Sequence, residues 1–310
     1  MLKNYSCYCL LFAVITGLYA CSADEDNSRQ NEQNQTWFAK VEAEKEGGEV
    51  QTRSMFFGGI GGTRYYMLWD EGDNAEVYYD GTKVGNFTPN SFGYSNSYLT
   101  GTLTGTFSVG NTINLYVPKA DLDFTGQKGT VGDMATNHTF MDATTTVSAV
   151  DASGNFLNMN NASFKHRQFF LSFQFMDQDG VRLHIEQLTI HTTSGMLVQT
   201  KPLVGEATHG DIVVNTEKVN GEYPSEVFVA LHNDSGASDT YSFTVKSGGY
   251  IFASTDAASM VTANIADGKY YWVYRTLTLQ GSATRLDSQV GSAIESHADG
   301  GGDSNGSVNF

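Results

Sequence analysis

The chain has 310 residues and a formal net charge of -16, with 18 Lys and Arg set against 34 Asp and Glu. No run of Lys or Arg occurs, so the basic footprint that nucleic-acid binding needs is missing, and the acidity fits a self-repelling surface domain. The 3 cysteines are Cys7, Cys9 and Cys21. The first two fall within an N-terminal export signal, so its removal would leave neither an internal disulfide nor a cysteine-based metal site.

Residues 1–20 read as that export signal. Lys3 gives a positive start, and the apolar stretch Leu10–Leu18 is shorter than the roughly 20 residues needed to span a bilayer. Leu18-Tyr19-Ala20-Cys21 looks like a lipobox, in which small Ala20 fits the peptidase and the Cys21 thiol takes a diacylglyceryl group. Acyl chains on Cys21 would contribute about 0.8 kcal/mol per buried methylene, so the chain would be anchored to the outer membrane. The acidic Asp24-Glu25-Asp26 beyond it resembles the surface-export signal of Bacteroidales-type lipoproteins. Residues 21–35 are polar and read as a tether.

Thr36–Val41 reads as a short strand with Trp37, Ala39 and Val41 on one face. Glu42–Gln51 is charged and Gly-containing, a link that ends beside Arg53. From there the pattern is β almost throughout. Examples are Arg64–Trp69, Glu76–Tyr79, Tyr98–Thr102, Thr112–Val117, Gln168–Phe175, Arg182–His191, Asp211–Asn215, Glu226–Leu231, Thr240–Val245, Tyr250–Ala253 and Lys269–Thr278. Each is short, rich in β-branched and aromatic residues, and bounded by Gly, Asn, Asp or Ser. The phenylalanines of Phe169–Phe175 alternate as in a strand with one buried face. No sustained helical period is present, and the best helical candidate is Ala257–Ile265. The length beyond Arg53 exceeds the common domain size, so two β-sandwich domains are expected, 36–195 and 196–310, with a flexible tail from about 281.

Catalytic and metal motifs do not stand out. Gly58–Arg64 is Gly-rich but lacks the Gly-Lys-Ser/Thr and following helix of a phosphate loop. The 7 histidines are scattered without a His-x-x-x-His pair or HExxH, so a zinc site is not expected. A Gly-x-Ser-x-Gly nucleophile elbow is lacking. Asp299–Gly306 has calcium-like composition without EF-hand spacing. The expectation is therefore a non-enzyme with no catalytic residues, cofactor or metal. The aromatic runs Tyr65-Tyr66, Tyr78-Tyr79 and Tyr270-Tyr271-Trp272 put neighbouring rings on opposite sheet faces, which suits cross-strand packing first and sugar stacking second.

One succession of features resembles a known family. It runs from the strand after Arg53 through Trp69-Asp70-Glu71-Gly72-Asp73 and Glu76-Val77-Tyr78-Tyr79. Gly101-Thr102-Leu103-Thr104-Gly105, Leu115-Tyr116-Val117-Pro118, Gln127-Lys128-Gly129-Thr130 and Asp133-Met134 come after them in order. His166 then opens an alternating strand, and Gly268-Lys269-Tyr270-Tyr271 precedes the last long one. This order is similar to that of the Bacteroidales fimbrillin-like family, the subunits of type V pili. The tail after Gln280 departs from the pattern.

The resemblance implies two tandem transthyretin-like, Greek-key β-sandwich domains, lipoprotein export, and cleavage by an Arg-specific protease at the cell surface. Cleavage would remove an N-terminal strand, and a strand from another pilus subunit would fill the groove. In this sequence the cut would fall at Arg53 and the displaced strand would carry Trp37, Ala39 and Val41. Such donor exchange is physically sound, because an opened sheet edge offers unpaired backbone groups beside apolar side chains. The implied partners are other pilus subunits, the outer membrane through Cys21 before processing, and a host or bacterial surface receptor. A monomeric glycan-binding surface lipoprotein is the alternative. The donor strand is open between Lys269–Leu279 and Arg285–Ile294.

Overall fold

The computed structural model describes residues 35–45, 56–57, 65–66 and 68–282, apart from 236, 237 and 264. Cys21, Arg53 and the stretch Arg285–Ile294 lie outside the described residues. The fold is all-β, as the sequence leads one to expect, and it is organised around two hydrophobic cores.

The first core is enclosed by strands β1 (Thr36–Lys45), β4 (Ala75–Tyr79), β5 (Thr82–Pro89), β6 (Ser97–Thr104), β7 (Thr112–Val117), β9 (Met141–Asp151), β10 (Phe156–Met159) and β11 (Ala162–His166). A two-stranded ladder of β2 (Phe56–Phe57) and β3 (Tyr65–Tyr66) precedes β4, and β8 (Leu122–Asp123) follows β7. The eight strands form one sheet in the order β10-β1-β11-β9-β7-β4-β5-β6, and β1 also pairs with β6. That last pairing joins the two ends, so the sheet closes on itself through β1. The β4–β5 hairpin turns on Asp80 and Gly81, both at positive φ (47° and 74°), as its two-residue loop requires.

The second core is built from β12 (Phe169–Met176), β13 (Gln187–Thr192), β14 (Val198–Lys201), β15 (Thr208–His209), β16 (Ile212–Asn215), β17 (Val227–Leu231), β18 (Asp239–Ser247), β19 (Tyr250–Ala253), β20 (Val261–Ala263), β21 (Tyr270–Thr276) and β22 (Thr278–Ser282). One sheet is β17-β12-β21, and a larger one is β16-β13-β18-β19-β22 with β20 on β18. Their facing side chains interlock: the Phe243 ring lies 5.3 Å from Phe173 and 5.5 Å from Phe175. β8 pairs with β14, which pairs with β15.

The division between the cores corrects the expected boundary at 195/196. Phe169–Phe175 of β12 and Leu188 and Ile190 of β13 pack with Phe243 and Val245, so the second core begins just after His166. It also recruits Leu122, Phe124, Met134 and Phe140 from a segment between β7 and β9, after which the chain returns to the first core. That segment holds the helix α1 (Val131–Asn137), which the sequence periodicity does not reveal. Thr130 caps it, accepting from the Asp133 N–H at 3.1 Å, while Asp133 accepts from the Lys128 N–H at 2.8 Å. The stretch expected to be the best helix instead contributes β20. The expected strand Arg182–His191 is strand only from Gln187, with an isolated bridge between Met176 and Arg182 before it.

Candidate functional site

The closing strand β1 is the site to which the candidate residues lead. Its inward positions are Trp37, Ala39, Val41 and Ala43, none more than 3% exposed. The strand alternates because charged and polar residues occupy the positions between, with Phe38 the exception at 49% exposed. Sequence reasoning placed Trp37, Ala39 and Val41 on one face and the structure brings all three into the core. It missed Ala43, because the charged residues beyond Val41 resemble a linker when read singly.

Two ladders hold β1. On one side it runs antiparallel to β6, from Thr36 opposite Thr104 to Ala43 opposite Ser97. On the other it runs parallel to two short strands in succession, with Phe38–Lys40 opposite Phe156–Asn158 of β10 and Ala43–Lys45 opposite Ala162–Phe164 of β11. β1 is thus not an edge strand but the piece between two edges. Without it, β6 would present one unpaired edge, and β10 with β11 the other, above a floor of Leu99, Leu103, Leu157, Phe164 and Trp69.

The start of β1 is fastened separately. The Trp37 indole Nε1–H donates to the Gly105 carbonyl at 2.8 Å, and the Gly105 N–H donates back to the Gln35 carbonyl at 3.0 Å. Gln35 Nε2 donates to Asn155 Oδ1 at 3.0 Å, and the Phe38 N–H donates to the Asn155 carbonyl at 2.9 Å. Outside the sheet, the Phe38 ring stacks on Phe156 at 5.5 Å, and Lys40 Nζ sits 3.7 Å from the centre of the Tyr98 ring.

Burying Trp37 and Val41 contributes about 1.5–3 kcal/mol each relative to exposure. The two alanines contribute little, so β1 is held chiefly by its two ladders, one large ring and one β-branched side chain.

The histidines that look scattered in sequence partly converge. His209 Nε2 and His232 Nε2 approach the two oxygens of Asp234 at 3.1 and 3.0 Å, and Lys201 Nζ donates to Asp234 at 2.7 Å. His232 Nδ1 reaches Asp267 at 3.3 Å. Burial works against the Asp234 charge, but hydrogen bonds from Lys201 and His209 outweigh it and bring its pKa to about 2. This cluster ties β14, β15 and the turn after β17 together. Among the described residues no group of three or more His, Cys, Asp and Glu is arranged to hold a metal ion.

The aromatic runs divide their rings between packing and solvent. Tyr78 meets Tyr116 edge to face at 5.4 Å, Tyr79 packs against Phe107 at 5.4 Å, and Tyr271 packs on the second core. Tyr270 packs on that core as well, and its ring meets Trp272 edge to face at 4.7 Å.

No protein-family model matches the chain, and no curated protein matches it either. Among solved structures, it is similar to a proposed cell adhesion protein of Bacteroides eggerthii, with 10% identity over 89% of this chain and 94% of that one, at a TM-score of 0.41. A proposed cell adhesion protein of Bacteroides uniformis shows 13% identity over 78% and 96%, at a TM-score of 0.42. A fimbrial protein of Bacteroides ovatus shows 10% identity over 79% and 50%, at a TM-score of 0.33.

Proposed function

We propose that this chain is an adhesive, pilus-type surface subunit that assembles by strand exchange. It is exported on a lipid at Cys21, cut after Arg53, and loses β1 to a strand from a neighbouring copy. The observation that carries this reading is the position of β1 between two sheet edges, with its inward side chains in the core and only residues 46–52 separating its end from Arg53. A cut there leaves β1 attached by non-covalent contacts alone. The subunit acts through assembly and adhesion rather than catalysis.

One of the two candidate donors is already engaged. Lys269–Leu279 is committed to its own core: β21 pairs in parallel with β12, and Val273 and Leu277 are buried. This favours Arg285–Ile294. Its alternate residues Leu286, Ser288, Val290 and Ser292 repeat the order large, small, Val, small of Trp37, Ala39, Val41 and Ala43. The residues between, Asp287, Gln289 and Gly291, are polar or small, as an outward face requires.

The test is treatment of the purified full chain with an Arg-specific protease, followed by N-terminal sequencing and electrophoresis without boiling. A new terminus at Ser54 together with detergent-resistant multimers is expected, and Arg53→Ala should prevent both. Cut protein that stays monomeric, or multimers that form unchanged from Arg53→Ala, would overturn the reading.

A further inference from the structure

The outer face of the β17-β12-β21 sheet carries a second arrangement that strand exchange does not use. Along β12 and β21 Phe173, Phe175 and Val273 enter the core, so Ser172, Gln174, Trp272 and Tyr274 project from the other side, while Phe170 nearer the strand start belongs to the core. Parallel register sets Ser172 beside Trp272 and Gln174 beside Tyr274. Antiparallel pairing sets Phe228 of β17 on the other side of Ser172, with Glu226 just before the strand.

Aromatic and polar groups alternate here on fixed backbone. Tyr274 is 40% exposed, and Trp272, Gln174, Glu226 and Phe228 are half-buried. Ser172 Oγ donates to one carboxylate oxygen of Glu226 at 2.5 Å, which fixes that side chain across the sheet. Among the described residues Gln174 Oε1 is buried without a hydrogen-bond partner, which is costly and leaves its amide group free to turn toward the surface.

We propose that this face binds a neutral oligosaccharide. Rings two residues apart on a strand are about 6.6–6.8 Å apart, close to the length of one sugar unit, so Trp272 and Tyr274 can each support the C–H face of a pyranose. Sugar hydroxyls are both donors and acceptors: they can donate to the Glu226 carboxylate, and the Gln174 amide, once turned outward, can bond them as well. A protein partner would be expected to want a larger continuous apolar patch than two rings interleaved with an amide and a carboxylate. An anionic glycan is disfavoured, because these positions carry a carboxylate and no Lys or Arg, in a chain of net charge -16. The site lies on strands of the second core, so it is present whether or not β1 is exchanged.

The experiment uses the full chain as an uncut monomer. Cellohexaose, xylohexaose, mannohexaose and a β-1,4-linked galactohexaose are titrated while Trp fluorescence and calorimetry are followed. At least one should bind, and Trp272→Ala and Tyr274→Ala should each weaken it by about tenfold, equivalent to about 1.4 kcal/mol. Gln174→Leu keeps the size and removes the acceptor, and should weaken binding with no change in thermal midpoint. Binding by none of the four, or binding that survives Trp272→Ala and Tyr274→Ala combined, would overturn the proposal. So would self-association of the uncut chain that the same two substitutions abolish, because the face would then serve a protein partner. Failure here leaves the Arg53 experiment untouched, and the reverse holds too.

Discussion

Trp37 donates its indole N–H to the carbonyl of Gly105, one residue past the end of β6, at 2.8 Å. The one large inward side chain of the closing strand is therefore fixed twice, by its ring in the core and by its nitrogen at the mouth of the sheet. Loss of that ring is the most direct way to loosen β1 without touching its backbone.

Trp37→Ala should destabilise the first core by about 3–5 kcal/mol, the usual cost of deleting a buried indole. Trp37→Phe keeps most of the apolar surface and forfeits the bond to Gly105, for about 0.5–1.5 kcal/mol. Urea unfolding followed by near-ultraviolet circular dichroism distinguishes the two. Equal losses from both would mean that the bond, not the ring, holds the strand.

Asp234 supplies an acid-sensitive contribution to the second core. Its pKa is held at about 2 in the folded chain, below the ordinary unfolded value of about 3.9. The associated stability is fully present above the unfolded value and disappears as the pH falls from about 4 through about 2. Asp234→Asn should lower the thermal midpoint at pH 7 and flatten its dependence on pH between 4 and 2. A variant whose acid limb matches that of the parent would show that Lys201 and His209 do not stabilise the charge.

Arg275 poses the opposite case. It is only 5% exposed and sits on the core-facing side of β21 with Val273. Its guanidinium donates to the carbonyls of Tyr274 at 2.7 Å and Met260 at 3.4 Å, and among the described residues its Nε has no partner and no carboxylate neutralises it. Burial accordingly lowers its pKa. A charge desolvated without a counter-ion costs stability, so Arg275→Met, of similar length, should raise the thermal midpoint. A fall would show that the two carbonyl bonds outweigh the desolvation.

The strands were legible where one face meets the core. Trp37, Ala39 and Val41 announce β1 by their spacing, and Phe169–Phe175 announces β12. On β12 the alternation suggests a solvated second face, yet Phe170 and Ser172 are also buried, Phe170 against the His166 ring at 5.3 Å and Ser172 bonded to Glu226. The helix Val131–Asn137 spans 7 residues, too short to display a period. The boundary between cores escaped a linear reading because Phe124, Met134 and Phe140 leave the first half of the chain for the second core before β9 returns. The gathering of His209 and His232 on Asp234 escaped for the same reason, since nothing in the spacing of the histidines records which turns meet. The strand character of β1 is written locally; that its neighbours are β6 on one side and β10 and β11 on the other is not.

The two ladders of β1 differ in direction, antiparallel to β6 and parallel to β10 and β11. A slot with such unlike walls reads the polarity of whatever enters it: reversing the guest exchanges the hydrogen-bond pattern on both sides at once. Every junction formed this way would therefore carry the same orientation, with giver and receiver presenting different surfaces. A one-way junction of that kind is heterologous, so wherever its rotation does not close a ring it would propagate into a fibre with distinguishable ends.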